Sequence, residues 1–181
     1  MQQPKFFFNG MPESYTTDLN NCIKQNSNAY IVGWRHDSLF WPFDFFLSLN
    51  SKVHLIEIFP ENVNVFPKDM YKDVKLICDD VQNYKKYLNT DSNNILYWGE
   101  GPEHLQMDVS KKLLNEMKNN FDTIIIHTPY GEYLQGEMYG NIHETHLSTW
   151  YEYDYDELEF KHCRYGDIVP SIIGYWSKIK I

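Results

Sequence analysis

The chain shows its architecture most clearly at positions 52–58, which read KVHLIEI, a short apolar run with a carboxylate near its end. A similar run at positions 29–33, AYIVG, precedes it, and a third at 74–78, VKLIC, follows it and is closed by Asp79 and Asp80. An open α/β sheet binds a nucleoside with two parallel strands that are joined by a crossover, the second of which ends in an acid. The acid accepts hydrogen bonds from the ribose hydroxyls. The pattern indicates a functional class and leaves the substrate open.

The spacing of apolar residues predicts strands and helical segments that alternate along most of the chain. The expected strands are 29–33, 52–58, 74–78, 94–98, 122–127, 159–164 and 171–178. The expected helices are 17–25 with Ser14 or Thr16 as its cap, a segment from Asp37 or Ser38 to about 49, 61–66, 81–88, 108–119 with Asp108 as its cap, and 143–158.

This alternation implies an α/β fold with a mostly parallel sheet of about seven strands and helices on both faces. The last two strands form a hairpin, which places an antiparallel strand near one edge. The ligand site is expected outside the carboxyl ends of strands one and four, where the strand order would reverse. We expect one domain over residues 1–181, with residues 1–14 as an extended lead-in.

Composition narrows the class of protein. The 181 residues are 43% hydrophobic and 17% aromatic, which is ample material for one core. The formal charge is −9, from 25 acids against 16 basic residues, and the only arginines are Arg35 and Arg164. No cluster of cations matches nucleic acid, and no apolar run approaches the roughly 20 residues that cross a bilayer. We therefore expect a cytoplasmic protein with a small-molecule substrate, without nucleic-acid or membrane partners; the oligomeric state is open.

Each acid at a strand end has two interpretations, one as a ligand-binding residue and one as a structural residue. Glu57 is either the acceptor for ribose hydroxyls or a solvated acid. One of Asp79 and Asp80 accepts from an adenine amino group, or the pair caps the following helix. After strand one, a nucleotide site usually has several glycines, whereas this chain supplies only Gly33, followed by bulky Trp34 and by Arg35. Arg35 binds a ligand carboxylate or makes a surface ion pair, and the sequence favours neither.

The turn after strand four, WGEGPEH at positions 98–104, carries two carboxylates and an imidazole beside the expected site. Glu100, Glu103 and His104 are therefore our candidates for acid–base work, with a structural turn as the alternative. A second, glycine-punctuated loop at residues 129–146 is predicted to fold over the site as a lid. The candidate substrate contacts in this lid are Tyr130, Tyr133, Asn141, His143 and His146.

Histidines in the lid raise the question of a metal. His143 and His146 are three residues apart, so they would share one face of a helix and meet His104 or Glu103. They lack the i, i+4 spacing of the H-E-x-x-H motif, and ordinary hydrogen bonds explain them as well. The three cysteines are isolated in sequence, which argues against a disulfide framework or a cysteine metal site. We assign no metal ligand from sequence.

The chain resembles class I S-adenosylmethionine-dependent methyltransferases in the order of its elements over residues 15–181. Glu57 matches the family's acid after the second strand, and Asp79 or Asp80 matches the acid after the third. The runs at 98–104 and from Pro129 through Ser148 look like an uncharacterised microbial subgroup of methyltransferase-like proteins. The chain departs from the family in the first loop, where the glycine-rich motif is reduced to Gly33.

The resemblance implies a Rossmann-like methyltransferase-type sheet and S-adenosylmethionine as cofactor. The cofactor would contact Gly33, Glu57, Asp79 and Asp80, with its ribose on Glu57. Two alternatives remain on the same scaffold: a metal-dependent hydrolase or lyase that uses the histidines, and a degenerate binding module without catalysis. A pocket plugged by Trp34 and Arg35 would favour the binding module.

Overall fold

The computed structural model describes residues 5–6, 10–35, 40–89, 92–166 and 170–179. The strands are β1 (Asn28–Val32), β2 (Lys52–Glu57), β3 (Val74–Cys78), β4 (Asn94–Gly99), β5 (Thr123–Pro129), β6 (Lys161–Tyr165) and β7 (Ser171–Ser177). The α-helices are α1 (Glu13–Cys22), α2 (Trp41–Ser48), α3 (Pro60–Val65), α4 (Met107–Met117) and α5 (Glu152–Glu157). Three 3₁₀ helices cover Val81–Tyr87, Pro102–His104 and Ile142–Glu144.

All seven strands form one sheet in the order β3-β2-β1-β4-β5-β7-β6. The five strands from β3 to β5 are parallel, and β7 runs antiparallel to both of its neighbours. This confirms the predicted Rossmann-like fold class with its C-terminal antiparallel hairpin. Between β1 and β4 the connections leave in opposite directions along the sheet, which creates the crevice where such folds bind ligands.

The central parallel strands β1, β4 and β5 are buried on both faces, which explains why they read as continuous apolar runs. In β1 the side chains alternate: Ala29 and Ile31 belong to the core cluster that includes α1 and α2, whereas Tyr30 and Val32 belong to the cluster that includes α4. All five residues of β1 are buried. None of the helices within the described ranges has the length and apolar content that a membrane crossing requires.

Several predicted helix ends are wrong. Helix α1 begins at Glu13 behind Pro12, and neither Ser14 nor Thr16 caps it. Helix α4 begins one residue before Asp108, which lies in its first turn and does not cap it. Proline fixes φ near the value that a first helical turn needs, so α1 follows Pro12 directly. Helix α2 has Pro42 in its first turn, and the expected caps Asp37 and Ser38 lie outside the described residues.

The predicted helix over 143–158 is also wrong. The chain there forms the 3₁₀ turn Ile142–Glu144, then irregular structure, and becomes α-helical only at Glu152. The reason lies in the backbone amides: His146 N–H donates to the Gln135 carbonyl, and Leu147 and Ser148 N–H both donate to the Glu103 carbonyl. Amides bonded to other segments are not available for a helical ladder. The segment expected as a helix at 81–88 is a 3₁₀ helix instead.

Candidate functional site

A cleft of about 620 Å³ opens at the carboxyl ends of the parallel strands, at the point where the strand order reverses. Gly33 after β1, Glu57 from β2, Glu100 after β4 and His127 from β5 line it. Since each residue ends or follows a parallel strand, the sheet itself brings together groups that are far apart in sequence. The cleft therefore lies where the strand pattern predicts the ligand site.

Glu57 is a buried carboxylate that holds the loop after β1 in place. Its Oε2 accepts from the Trp34 backbone N–H at 2.8 Å, and its Oε1 accepts from the Phe59 N–H at 2.7 Å. Only 5% of the residue is exposed. Burial raises the pKa of the Glu57 carboxyl, although hydrogen bonds from Phe59, Trp34 and Asn62 act in the opposite direction. Glu57 thus holds the loop after β1 through its hydrogen bond with Trp34. The alternative interpretation, in which Glu57 is a solvated acid at a strand end, is therefore wrong.

The loop after β1 leaves the cleft open. Gly33 has φ of +79°, and no atom of the described residues lies within 4 Å of the position that a Cβ would occupy. A ligand is therefore able to approach the backbone closely at this residue. The Trp34 ring is 6% exposed and packs on the rings of Phe40 and Phe66 at 5.5 and 5.0 Å. Trp34 is part of the core, and its indole does not plug the cleft.

Asp79 and Asp80 also line the cleft, and both have partners within the protein. The Asp79 carboxylate accepts from the Tyr87 hydroxyl at 2.5 Å and from Asn83 Nδ2 at 2.8 Å, which lower its pKa. Asp80 Oδ1 accepts from the Gln82 N–H at 2.8 Å and so caps the 3₁₀ helix. The capping interpretation of Asp80 is confirmed, and a contact of either acid with adenine stays a prediction.

A relay of three hydrogen-bonded side chains ends in the cleft. Glu100 Oε1 lies 2.9 Å from His127 Nδ1, and His127 Nε2 lies 2.5 Å from the Tyr165 hydroxyl. A carboxylate only accepts hydrogen bonds, so His127 Nδ1 carries the proton that Glu100 accepts. Burial alone would raise the pKa of Glu100, but the charge and hydrogen bond of His127 hold it below its ordinary value. Glu100 therefore presents an anion to the cleft at neutral pH.

Sequence reasoning did not place this relay. His127 ends the apolar run of predicted strand five, and this position is the one feature of the sequence that indicates a residue of the ligand site. Tyr165 is at the end of β6, and only the antiparallel pairing of β7 with both β5 and β6 brings it near β5. Glu100 itself has φ of +51°, an uncommon conformation for a residue other than glycine. Such conformations are concentrated at functional sites.

Glu103 and His104 follow on the 3₁₀ turn after β4, and they differ in placement. His104 lines the cleft, whereas Glu103 lies behind it with 2% of its surface exposed. Neither carboxyl oxygen of Glu103 has a hydrogen-bond partner in the described part of the chain. Burial, and next the neighbouring Glu100, raise the pKa of Glu103 well above its ordinary value. Burial, together with His146, lowers the pKa of His104.

The lid covers the mouth of the cleft. Its residues Tyr133, Asn141, His143 and His146 line the cleft, whereas Tyr130 does not. Tyr130 instead lies beneath the guanidinium of Arg164, with 4.7 Å from Cζ to the ring centroid. Of the five expected substrate contacts, the structure thus brings four to the site. His104 and His146 approach each other with ring centroids 4.9 Å apart, and one atom each of Glu103, His104 and His146 lie within 4.8 Å of one another.

An ion pair ties the lid to the first loop. Arg35 Nη1 lies 3.0 Å from Glu144 Oε2, and both side chains are mostly buried. Glu144 Oε1 in turn accepts from Asn141 Nδ2 at 3.2 Å. Arg35 thus makes an ion pair, but the pair lies in the lining of the cleft and not on the surface, and binding of a ligand carboxylate by Arg35 stays a prediction.

No protein-family model and no curated protein matches the sequence. The fold, in contrast, is similar to solved structures. A putative rRNA methylase from Clostridium thermocellum shares 16% identity at a TM-score of 0.59, over 93% of this chain and 99% of that one. Magnesium protoporphyrin IX methyltransferase from Synechocystis, with S-adenosylhomocysteine bound, shares 10% identity at a TM-score of 0.59, over 90% of this chain and 78% of that one. A putative zinc-dependent alcohol dehydrogenase from Rhodobacter sphaeroides shares 10% identity at a TM-score of 0.63, over 94% of this chain and 92% of that one.

These similarities extend over nearly the whole chain, and they identify the fold. The protein has the Rossmann-like fold of class I methyltransferases, with the strand order and the C-terminal hairpin described above. At 16% identity or less, the similarities concern the fold alone. The chemistry has to be argued from the cleft of this chain.

Proposed function

We propose that the protein is an S-adenosylmethionine-dependent methyltransferase that acts on a small-molecule acceptor. The observation that carries this proposal is the open cleft of about 620 Å³ at the strand-order reversal, with Glu57 at its base and Gly33 beside it. One similar structure, the Synechocystis methyltransferase, contains S-adenosylhomocysteine. A cleft of this size is within the range of small-molecule and cofactor sites.

The cofactor lies across the ends of β1 and β2 in this proposal. Its ribose hydroxyls donate to Glu57. The cofactor approaches the protein backbone at Gly33, which has no Cβ to obstruct it. Its adenine lies towards Asp79 and Asp80, which line the same cleft. Glu57 already accepts two backbone N–H groups, and each carboxylate offers about four lone-pair sites, so it retains capacity for a ribose hydroxyl.

The acceptor enters beneath the lid and meets Glu100. Methyl transfer requires a line from nucleophile through methyl carbon to sulfur, so positioning contributes more than strong acids. Glu100 accepts the acceptor's proton or orients its hydroxyl, and His127 holds the carboxylate in place at 2.9 Å. His104, Tyr133, Asn141, His143 and His146 surround the same space and supply the remaining polar contacts. The net charge of −9 favours a small molecule over a nucleic acid as acceptor.

Calorimetric titration with S-adenosylmethionine and S-adenosylhomocysteine tests the proposal. We expect heat of binding and an increase in melting temperature with each ligand, since a ligand that binds only the folded state stabilises it. No heat and no thermal shift at saturating ligand would remove the proposal. Titration with a short RNA in the presence of S-adenosylhomocysteine tests the acceptor class, and binding there would replace the small molecule with a nucleic acid.

A metal-dependent hydrolase or lyase on the same scaffold is the second candidate. The approach of Glu103, His104 and His146 to within 4.8 Å favours it. Elemental analysis of protein purified without added metal, with activity measured before and after chelation, separates it from a methyltransferase. A pocket plugged by Trp34 and Arg35 would favour the third hypothesis, a degenerate binding module. Trp34 instead packs into the core and Arg35 pairs with Glu144, and a cleft of about 620 Å³ remains beside them.

A further inference from the structure

Three side chains from two distant segments converge beside the cleft. Glu103 and His104 belong to the 3₁₀ turn after β4, and His146 comes from the lid. One nitrogen or carboxylate oxygen of each lies within 4.8 Å of the other two. The backbone fixes this arrangement, because the Glu103 carbonyl accepts from the N–H groups of Leu147 and Ser148, directly after His146.

The Glu103 carboxyl group is the unusual member of this cluster. It is 98% buried, and within the described ranges neither oxygen has a hydrogen-bond partner. The backbone amides of Gly101 and of Glu103 itself lie near it and favour its charge, but they do not reach hydrogen-bonding geometry. A buried carboxylate without partners is costly, and such groups in proteins are paired with a cation or coordinate a metal.

Both histidines are oriented as metal-binding histidines usually are. His146 Nδ1 lies 2.7 Å from the Tyr133 carbonyl oxygen, and His104 Nδ1 lies 3.3 Å from the Thr145 carbonyl oxygen. A carbonyl oxygen only accepts, so each Nδ1 carries the proton and each Nε2 keeps its lone pair. A backbone carbonyl that fixes the tautomer in this way is the common second contact of a ligating imidazole.

We propose that Glu103, His104 and His146 bind one divalent transition-metal ion at the wall of the cleft. Two imidazoles and one carboxylate suit Zn²⁺, Co²⁺ or Mn²⁺ better than Mg²⁺ or Ca²⁺, which prefer oxygen ligands. Three protein ligands leave coordination positions free, and since His104 and His146 line the cleft, those positions face it. A metal bound there supplies a Lewis acid for an acceptor oxygen.

Metal binding is tested on the full chain after chelation and dialysis. Calorimetry with Zn²⁺ alone and visible absorption with Co²⁺ alone are expected to show one equivalent bound. His104→Ala and His146→Ala each remove one ligand, and we expect at least about a hundredfold weaker binding, more than the loss of an outer contact causes. The matched control is His143→Ala, which removes an exposed imidazole three residues away in the same lid and is expected to bind like the wild type.

Absence of heat and of a cobalt spectrum in the wild type overturns the proposal, as does equal affinity in the wild type and His146→Ala. Circular dichroism checks that each variant is folded, and the two histidine variants test the site separately. Titration of the metal-free protein with S-adenosylhomocysteine is an independent measurement. Failure of the metal site therefore leaves the methyltransferase proposal intact, and failure of cofactor binding leaves the metal site intact.

Discussion

Arg35 and Glu144 are 109 residues apart in sequence, and their ion pair at 3.0 Å joins the loop after β1 to the lid. The first loop borders the proposed cofactor position, and the lid covers the proposed acceptor position. The two side chains are only 26% and 16% exposed, so solvent screens the pair less than it screens most surface pairs. We therefore expect this contact to act as a latch, which together with the backbone bonds to the Glu103 carbonyl holds the lid in place.

Replacing Arg35 by methionine should loosen the lid. The variant keeps an unbranched apolar stem and removes the guanidinium with its charge, so we expect faster amide hydrogen exchange over residues 132–146. A double-mutant cycle with Glu144→Gln is expected to give a coupling of about 1 kcal/mol, the upper end for solvent-accessible pairs. Lys85→Met is the control, because it breaks the exposed pair with Glu116 elsewhere on the protein. Unchanged exchange in the lid of Arg35→Met would contradict the latch.

Glu57→Gln should weaken cofactor binding and lower stability together. The amide group has one acceptor oxygen, so it cannot accept from both the Trp34 and Phe59 N–H groups as the carboxylate does. Hydrogen bonds to a charged group contribute about 1.5–3 kcal/mol, so we expect S-adenosylhomocysteine to bind at least about tenfold more weakly. Calorimetry measures the affinity, and urea unfolding the stability. Glu61→Gln, an exposed acid on α3, makes the same change of charge and should alter neither.

His54 should make the protein less stable as the pH falls. It stacks on Tyr30 with ring centroids 4.7 Å apart, and both its nitrogens are buried without partners in the described structure. Burial, followed by the charges of Lys75 and Lys52, lowers its pKa to about 4 from an ordinary value of 6.5. The unfolded chain therefore binds a proton below pH 6.5 that the folded chain refuses down to about pH 4.

The contribution of neutral His54 to the free energy of unfolding is thus fully present above pH 6.5, and it is lost as the pH falls from 6.5 to about 4. His54→Phe keeps an aromatic ring against Tyr30 and removes the titration. The melting temperature of the wild type should fall more steeply than that of His54→Phe across this interval, and the two curves should be parallel above it. Curves that run parallel throughout would show that the imidazole is protonated equally in both states.

Gly101→Ala should destabilise the turn that carries Glu103 and His104. A Cβ at Gly101 would overlap the indole Nε1 and Cδ1 of Trp98, which is 2% exposed and unable to move aside. Overpacking of this kind costs about 1–3 kcal/mol. Gly136→Ala is the matched control, because its Cβ meets no described atom within 4 Å and its φ is not positive. Thermal unfolding of both variants measures the difference, and equal melting temperatures would refute this packing constraint.

Residues near the strand ends were predictable from sequence because parallel strands align their carboxyl ends. The apolar runs at β1, β2 and β4 locate those ends to within one residue, and they place Gly33, Glu57 and Glu100 at one edge. The same logic failed in the lid, where His143 lies in the 3₁₀ turn Ile142–Glu144 and His146 lies in the irregular chain after it. The backbone amide of His146 donates to the Gln135 carbonyl and its ring contacts the Tyr133 carbonyl, and no local pattern reports such partners outside the expected helix.

The contacts that depend on register across the antiparallel strands were beyond sequence reasoning. Tyr165 meets His127 only because β7 lies between β5 and β6 in the sheet. Likewise, the lid amides of Leu147 and Ser148 bind the Glu103 carbonyl and help to bury this residue, and no pattern near Glu103 in the sequence indicates that contact. In each case the deciding interaction joins residues about 40 positions apart.

The neck of the segment 131–150 is closed by the bridge between Gly131 and Trp150, whose N–H to O distance is 2.8 Å. Both ends of this segment therefore return to one point beside β5, and the seven strands are complete without it. A replacement of different length and sequence has to reproduce that junction and the bonds that Leu147 and Ser148 make to the Glu103 carbonyl. Under the proposed function, a change confined to this segment would alter the contacts to the acceptor and leave the strand ends that carry Gly33 and Glu57 unchanged.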